Sequence, residues 1–306
     1  MPELPDVIVY IRSLEQLLQG RALKRAVLKS PFVLRTFDPP LESANGLTIE
    51  RFSRIGKRIV WHLRGDEPAH NVNLVFHLMI AGRYHWRKPD RMPNSKNDLI
   101  AFQFEHGTMM LTEASQKKRA SLHVMKADTS LAPFDRGGLE VLECSRKEFS
   151  QVLLRENRTL KRALTNPVNF SGIGNASSDE ILLRARLSPT QRTQNLSEEE
   201  IDQLFEATVV TMQTWIQRLG ESTGDKFPEK VTAFRPEMMA HGKFGKICPQ
   251  CNETQIQRIT FSENEWNYCP RCQTKGKLLA DRSLSRLLKD DWPKTIEELE
   301  GQNVDL

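Results

Sequence analysis

Two short cysteine pairs, Cys248-Pro-Gln-Cys251 and Cys269-Pro-Arg-Cys272, stand seventeen residues apart and constrain this chain more than any other feature. Two knuckles at that spacing let four thiolates close a tetrahedral shell around one ion, and zinc is the ion this ligand set suits. The segment between them reads as a hairpin, with strands over Gln255–Thr260 and Glu265–Tyr268. Two redox pairs, or four unrelated buried thiols, are the alternatives. A closed four-sulfur shell has no open coordination position, so the expected cofactor is one structural Zn2+. Such a module, spanning 241–277, stabilises a fold without disclosing what it does.

The rest of the chain divides by periodicity. Residues 5–19 predict a helix: Pro5 suits the first turn, Val7, Ile11, Leu14 and Leu18 share one face, and Gly20 ends it. Short alternating stretches rich in β-branched and aromatic residues follow, at Thr48–Phe52, Ile59–Leu63, Asn73–Leu78 and Ile100–Phe104. The last meets Met109–Leu111 across His106-Gly107, a hairpin signal. The loop-like stretch Ala132–Gly138 marks a boundary. Beyond it the helical period governs Arg146–Arg155, Leu160–Leu164, Asp179–Arg186 and Ser197–Leu219, the last opened by a Ser197/Glu200 capping box. The fold class is therefore α+β. A leading helix and β-sandwich (1–133) precede a helical domain (145–235), the four-cysteine finger (241–277) and an extension (278–306). In the extension, Leu278–Leu288 suggests a short amphipathic helix, with Leu278, Leu279, Leu284 and Leu287 packing back onto the helical domain.

Charge points toward a polyanion. The whole chain carries only +5, but residues 21–58 hold nine Lys/Arg against Asp38, Glu42 and Glu50. Phosphate neutralisation drives most non-specific nucleic-acid affinity, so this local excess suits a polyanion; a solvated strand face with scattered basic residues is the equal alternative. Phe170-Ser-Gly-Ile-Gly-Asn175 adds two glycines that permit close approach, an amide, and a helix expected to start near Ser177 or Ser178 with free N–H groups. No apolar run approaches a membrane span, and Met1-Pro-Glu lacks a secretory n-region. A cytoplasmic, nucleoid-associated protein is the expectation.

The opening Met1-Pro-Glu-Leu-Pro-Asp6 resembles the formamidopyrimidine-DNA glycosylase (Fpg/Nei) family. The resemblance runs in order through Gly56-Lys57-Arg58, His77-Leu-Met-Ile-Ala-Gly82, Gly172-Ile-Gly-Asn175, His241-Gly-Lys-Phe-Gly245 and Tyr268-Cys-Pro-Arg-Cys-Gln273. It implies a helix–two-turns–helix domain at 145–235 and a monomer clamped on damaged double-stranded DNA. It also implies removal of damaged bases by glycosylase and abasic-site lyase chemistry through β,δ-elimination. Pro2, freed by loss of Met1, would be the amine nucleophile and Glu3 its proton carrier. An α-amino group titrates far below a lysine, which leaves neutral amine available near neutrality. Lys57, grouped with that catalytic pair, and Asn175 match the family's phosphate contacts. A helix-entry proline, a carboxylate on the helix macrodipole, a surface lysine and a capping asparagine are the plain structural readings of the same four residues.

Two positions depart from the family. Asn264, between Glu263 and Glu265, stands where the finger usually carries a phosphate-gripping Arg. An amide lacks the charged bidentate fork, and flanking carboxylates repel phosphate; Arg258, Arg271 or Lys275 are the candidates to compensate. Ile80 takes the place of a usual Met wedge, and Glu113-Ala-Ser-Gln-Lys-Lys-Arg119 replaces an Arg-Arg-Phe turn. Ile80 is an apolar wedge, and Lys117, Lys118 or Arg119 would probe the opposite strand. A non-catalytic DNA-binding relative and a glycosylase for an unusual lesion are the competing functions.

Overall fold

The computed structural model describes residues 1–261, 264–281, 287 and 293–302, with the side chains of Phe261, Asn264, Glu300 and Gln302 excepted. The chain forms two compact units: residues 1–136 with 215–232, and residues 137–214 with 233–306. No helix among the described residues is long and apolar enough to cross a membrane.

Helix α1 (Leu4–Leu18) opens the first unit, with Pro5 in its first turn and Asp6 accepting from the Glu3 N–H at 2.8 Å. Leu4, Val7, Leu14 and Leu18 are fully buried along one stripe, and Gly20 ends the helix at φ +74°, as a left-handed stop requires. Two four-stranded antiparallel sheets follow. One is ordered β1 (Arg25–Leu28), β6 (Asp98–Phe104), β7 (Gly107–Glu113), β5 (Gly82–Arg87). The other is ordered β2 (Thr48–Ile55), β3 (Arg58–Arg64), β4 (Val72–His77), β8 (Ser121–Lys126). Strand alternation sends Ile59, Trp61 and Leu63 inward beside Leu74, Phe76, Leu122 and Val124. Trp61 lies 5.0 Å from the ring centroids of both Phe76 and Phe102, so aromatic contact joins the two sheets into one core. The sandwich read from the sequence is present. Strands β1, β5 and β8, which the sequence reading leaves unassigned, complete the sheets; β5 alternates Tyr84 and Trp86 with Arg83, His85 and Arg87, and β8 buries Leu122 and Val124 between Ser121, His123 and Met125.

Strand β5 is an edge, and an open edge invites pairing with other chains. Residues 227–231 cover it: Glu229 accepts from the Trp86 N–H at 3.0 Å and binds His85 and Arg87, while the Val231 carbonyl accepts from Arg83. The outer face of the other sheet carries a buried polar row, in which Ser53 Oγ lies 2.8 Å from His62 Nε2 and His62 Nδ1 lies 2.9 Å from Asn73 Oδ1.

In the second unit, α2 (Arg146–Leu154), α3 (Leu160–Thr165), α4 (Asn175–Arg184) and the residues of α5 (Glu198–Thr223) up to Thr214 lie where the periodicity placed helices. The Ser197/Glu200 box is formed reciprocally, at 3.0 and 3.2 Å. Helix α4 begins earlier than read, at Asn175 and not near Ser177. Gly174 is extended enough to serve as N-cap, and the Ser178 hydroxyl turns back to its carbonyl at 2.6 Å instead of starting the helix. The finger hairpin is β9 (Gln257–Phe261) paired antiparallel with β10 (Asn264–Tyr268), followed by α6 (Pro270–Thr274).

The extension packs differently from the expectation. Leu279 joins Ile259, Trp266 and Tyr268 on the finger hairpin, its N–H donating to the Tyr268 hydroxyl at 2.7 Å, because that apolar face needs covering. Leu287 is 76% exposed, and Leu284 lies outside the described residues along with most of the anticipated Leu278–Leu288 helix.

Candidate functional site

Pro2 and Glu3 are buried at the entry to α1. Burial lowers the Met1 α-amino group; Glu3 and Asp6 oppose that fall, while Arg83 and Lys57 add to it. Lys57 is likewise lowered by burial, with Glu3 and Asp6 holding it up. The chain start, Glu3, Asp6, Lys57 and Arg83 thus form one electrostatic group of two carboxylates and three cationic nitrogens. Sequence reading found all of these except Arg83 in its role and Asp6 as partner. Arg83 follows Gly82 in the quoted motif, and nothing in its spacing distinguishes it from a surface arginine.

Register gathers the other first-unit candidates at one end of the sandwich. Arg58 pairs with His77, which pairs with Ser121, and Gly82 pairs with Glu113. The β2–β3 turn bearing Lys57, the loop bearing Ile80 and the 114–119 loop therefore emerge together. The Ile80 loop is tight: Met79 stands at φ +52°, and a Cβ on Gly82 would meet the Leu78 carbonyl oxygen at 2.2 Å. Its tip presents Ile80 at 57% exposure, an apolar side chain held out by a closed turn. His77 accepts from the Met79 N–H through Nδ1 at 3.0 Å; burial first, then Arg58 and Lys57, bring it down to about 4, so it is neutral near pH 7.

The 114–119 loop owes its shape to Glu113. This buried carboxylate accepts from the backbone N–H groups of Arg119 (2.8 and 3.0 Å) and Ala120 (3.0 Å) and from Ser115 Oγ (3.0 Å). Lys117 and Arg119 are exposed, whereas Lys118 folds back to donate to the Glu113 carbonyl. Two of the three basic side chains proposed for this loop point into solvent.

In the second unit Asn175 is the first residue of α4, and its amide donates to the Glu265 carbonyl of β10 at 2.9 Å. Asn264 is the neighbouring residue in β10, opposite Phe261; its side chain lies outside the described residues. Behind Asn175 a buried polar cluster ties three segments to α4. Asp179 binds Lys161, His241 Nδ1 (2.8 Å) and the Asn267 N–H (3.2 Å), and Lys161 also donates to the Asn175 carbonyl at 2.6 Å. Glu180 accepts from the N–H groups of Met239, Ala240 and His241 at 2.8–3.0 Å; burial pushes its carboxyl up against those three donors. The sequence displayed Asp179-Glu180 and His241-Gly242 without joining them, because 60 residues separate carboxylate from amide.

The four cysteine sulfurs all lie within 4.8 Å of one another, with Cys248–Cys272 at 3.9 Å and Cys251–Cys269 at 3.8 Å. A tetrahedron of sulfurs about 2.3 Å from a central ion has edges of about 3.8 Å, so the residues fit a closed four-thiolate metal centre. Burial raises Cys272 to about 11 and raises Cys269 further. Burial also works to raise Cys251, but the Glu253 and Thr254 N–H groups and the neighbouring sulfurs outweigh it and take this thiol down to about 7. A cation is what allows four such sulfurs to be ionised together.

A helix-led β-sandwich joined in sequence to a helical unit with a four-cysteine finger defines a two-unit class of protein whose polar clusters sit at the helix entry, the sandwich loops and the α4–finger junction. Residues 1–120 match the formamidopyrimidine-DNA glycosylase N-terminal domain, and residues 140–226 match the H2TH domain of the same enzymes. The chain belongs to the formamidopyrimidine-DNA glycosylase (Fpg/Nei) family. Formamidopyrimidine-DNA glycosylase of Bacillus cereus is 28% identical over 290 residues, spanning 90% of this chain and all of that protein. The Bacillus subtilis enzyme is 28% identical over 287 residues, with the same coverage. Among solved structures, the Lactococcus lactis enzyme in complex with DNA containing an abasic site aligns at 26% identity with a TM-score of 0.77, covering 89% of this chain and 99% of that one.

Proposed function

We propose that this chain is a base-excision-repair DNA glycosylase with abasic-site lyase activity, acting as a single chain on damaged double-stranded DNA. Relatives and structural neighbours that match over essentially their whole length and carry this name, or hold damaged DNA, support the activity. The observation that carries the assignment of residues is the buried Pro2–Glu3 start, facing Lys57 and Arg83 in one electrostatic group.

With Met1 removed, the Pro2 ring nitrogen is a secondary amine, and the burial and positive neighbours that lower the Met1 amine act on it in turn. Its lone pair forms a bond to C1′ as the bond from C1′ to the base breaks, and the base leaves with a proton. Opening of the sugar ring transfers a proton to O4′ and leaves an iminium on Pro2; Glu3 is the group that moves protons at the sugar. The iminium acidifies the C2′ hydrogen, so the 3′ phosphate departs by β-elimination, and the 5′ phosphate follows in the δ step that the family resemblance implies. Water then releases the amine. Lys57 and Asn175 hold phosphates of the kinked strand, Ile80 fills the space left by the extruded nucleotide, and Lys117 and Arg119 reach the opposite strand. Cys248, Cys251, Cys269 and Cys272 hold one Zn2+, whose chemistry is structural: it fixes the hairpin that lies against Asn175.

Borohydride trapping on duplex DNA with an abasic site tests this. The expected result is a covalent adduct whose mass maps to Pro2. An adduct on another residue overturns Pro2 as nucleophile, and DNA binding without any adduct makes the chain a non-catalytic relative.

A further inference from the structure

The finger lacks an arginine at Asn264, yet a different arginine is built into the same hairpin. Arg258 on β9 pairs across to Asn267, so it shares a face with Asn267 and Glu265 of β10. The β10 edge lies along α4, where the Asn267 N–H binds Asp179 and the Glu265 carbonyl accepts from Asn175, and from the shared face the Asn267 amide also reaches Asp179, at 3.3 Å. The Arg258 guanidinium stacks over the Phe244 ring, 4.3 Å from its centroid, and donates to Glu265 Oε2 at 3.0 Å. Phe244 is nearly half exposed, so this couple stands at the surface. The other candidates are placed less favourably. Arg271 is paired with Glu253 at 2.7 Å, and Lys275 is an exposed C-cap with no aromatic platform beneath it among the described residues.

A carboxylate and a phosphate offer a guanidinium fork the same pair of acceptor oxygens. Glu265 therefore joins the two donors a phosphate would use, Arg258 through its carboxylate and Asn175 through its carbonyl. We infer that Arg258 and Asn175 together cradle a backbone phosphate, and that the Glu265 carboxylate is a resident anion which that phosphate displaces. This rests on the glycosylase reading for its ligand, DNA. It also changes the meaning of Glu265, which in the sequence repels phosphate but in the fold is neutralised by Arg258 and keeps that cation pointed.

The test uses the full-length, metal-loaded protein and a duplex carrying a reduced abasic site, with Kd measured by fluorescence anisotropy over a range of salt. Arg258→Ala should weaken binding by about tenfold, the share of one charge-assisted contact. It should also flatten the slope of log Kd against log salt by about one. Arg258→Lys should keep the slope and lose part of the affinity. Glu265→Gln should tighten binding several-fold, and the size of its effect should change once Arg258 is already Ala, where the carboxylate has lost its cation. An unchanged Kd and slope in Arg258→Ala, weaker binding in Glu265→Gln, or additivity of the two substitutions overturns the proposal. Metal content and Tm verify folding, and Glu265→Gln and Arg258→Lys keep the test open if Arg258→Ala does not fold. Borohydride trapping of the same proteins on a duplex carrying an unreduced abasic site separates the two claims. Absence of adduct with these affinity shifts intact removes the glycosylase reading and leaves the cradle; a normal adduct with unshifted affinity does the reverse.

Discussion

Asp179→Asn isolates the charge in the buried cluster behind Asn175. The side chains of Asp179 and Lys161 are 0% and 1% exposed, so the pair has no solvent to fall back on. Asparagine keeps the shape and one acceptor oxygen for His241 or the Asn267 N–H, and only the negative charge goes. Breaking a buried pair by removing one partner costs about 3–5 kcal/mol. The ammonium has one escape, which is to release its proton. From an ordinary lysine value of about 10.4, that release costs about 5 kcal/mol at pH 7, which sets the ceiling. The expected loss is thus about 3–5 kcal/mol, confined to the second unit. The escape leaves a signature: if Lys161 is neutral in the folded variant, the unfolded chain binds one proton more. Stability then rises with pH by about 1.4 kcal/mol per unit between about 7 and 10, a slope added to that of the parent protein. Native-state hydrogen exchange at His241 and Asn267 reads both quantities. A loss below about 1 kcal/mol at pH 7 would refute the view that this cluster is an obligatory ion pair.

Three further outcomes follow from other parts of the structure. Burial first, with Arg51 and Arg64 adding and the Asn73 bond opposing, brings His62 down to about 4 in the fold, against about 6.5 unfolded. The unfolded chain therefore takes the proton first. Stability of the first unit is whole above about pH 6.5, and His62 alone removes up to about 3 kcal/mol as pH drops toward 4, beside a loss of the same sign from His77; urea midpoints against pH should show this, with His62→Gln removing the His62 share of the slope. Cys269→Ser should take bound metal from one ion per chain to near none by elemental analysis, with a red shift of tryptophan emission as Trp266 loses its cover. Glu113→Gln leaves the Arg119 and Ala120 N–H groups with one acceptor oxygen between them, at a local cost of about 1–3 kcal/mol. Limited trypsin digestion should then cut at Lys117 or Lys118 faster, with the sandwich Tm little changed.

What the sequence made legible follows from range. Helices α1, α2 and α5 carry their stripes and caps within a dozen or so residues, and the cysteine knuckles carry their own spacing, so each could be read in place. The cover over strand β5 could not: His85 and Arg87 look like solvent-facing residues until Glu229, more than 140 positions away, is laid beside them. Likewise Glu265 reads as a repulsive charge until Arg258 is found across the hairpin. Asn175 read as a phosphate-binding or capping residue, and the fold adds a third partner, the Glu265 carbonyl, that no local pattern announces. The Pro2–Glu3 start was visible through resemblance, whereas Arg83 emerges only when the β5 edge is brought beside the chain start.

The Glu113 anchor has a consequence for how such a protein can change its target. Glu113, at the start of the 114–119 loop, fixes its far end through the Arg119 and Ala120 backbone donors, which every residue type except proline supplies. The side chains of Ser115 and Lys118 share in that hold, whereas those of Gln116, Lys117 and Arg119 give it nothing among the described residues. Substituting or exchanging those three therefore leaves the Glu113 anchor untouched, while the charge at the loop tip is rewritten. On the proposed reading, in which this loop meets the strand opposite the lesion, the tip is a replaceable cartridge seated on a fixed socket, and a lineage can explore new pairings there without risking its chemistry.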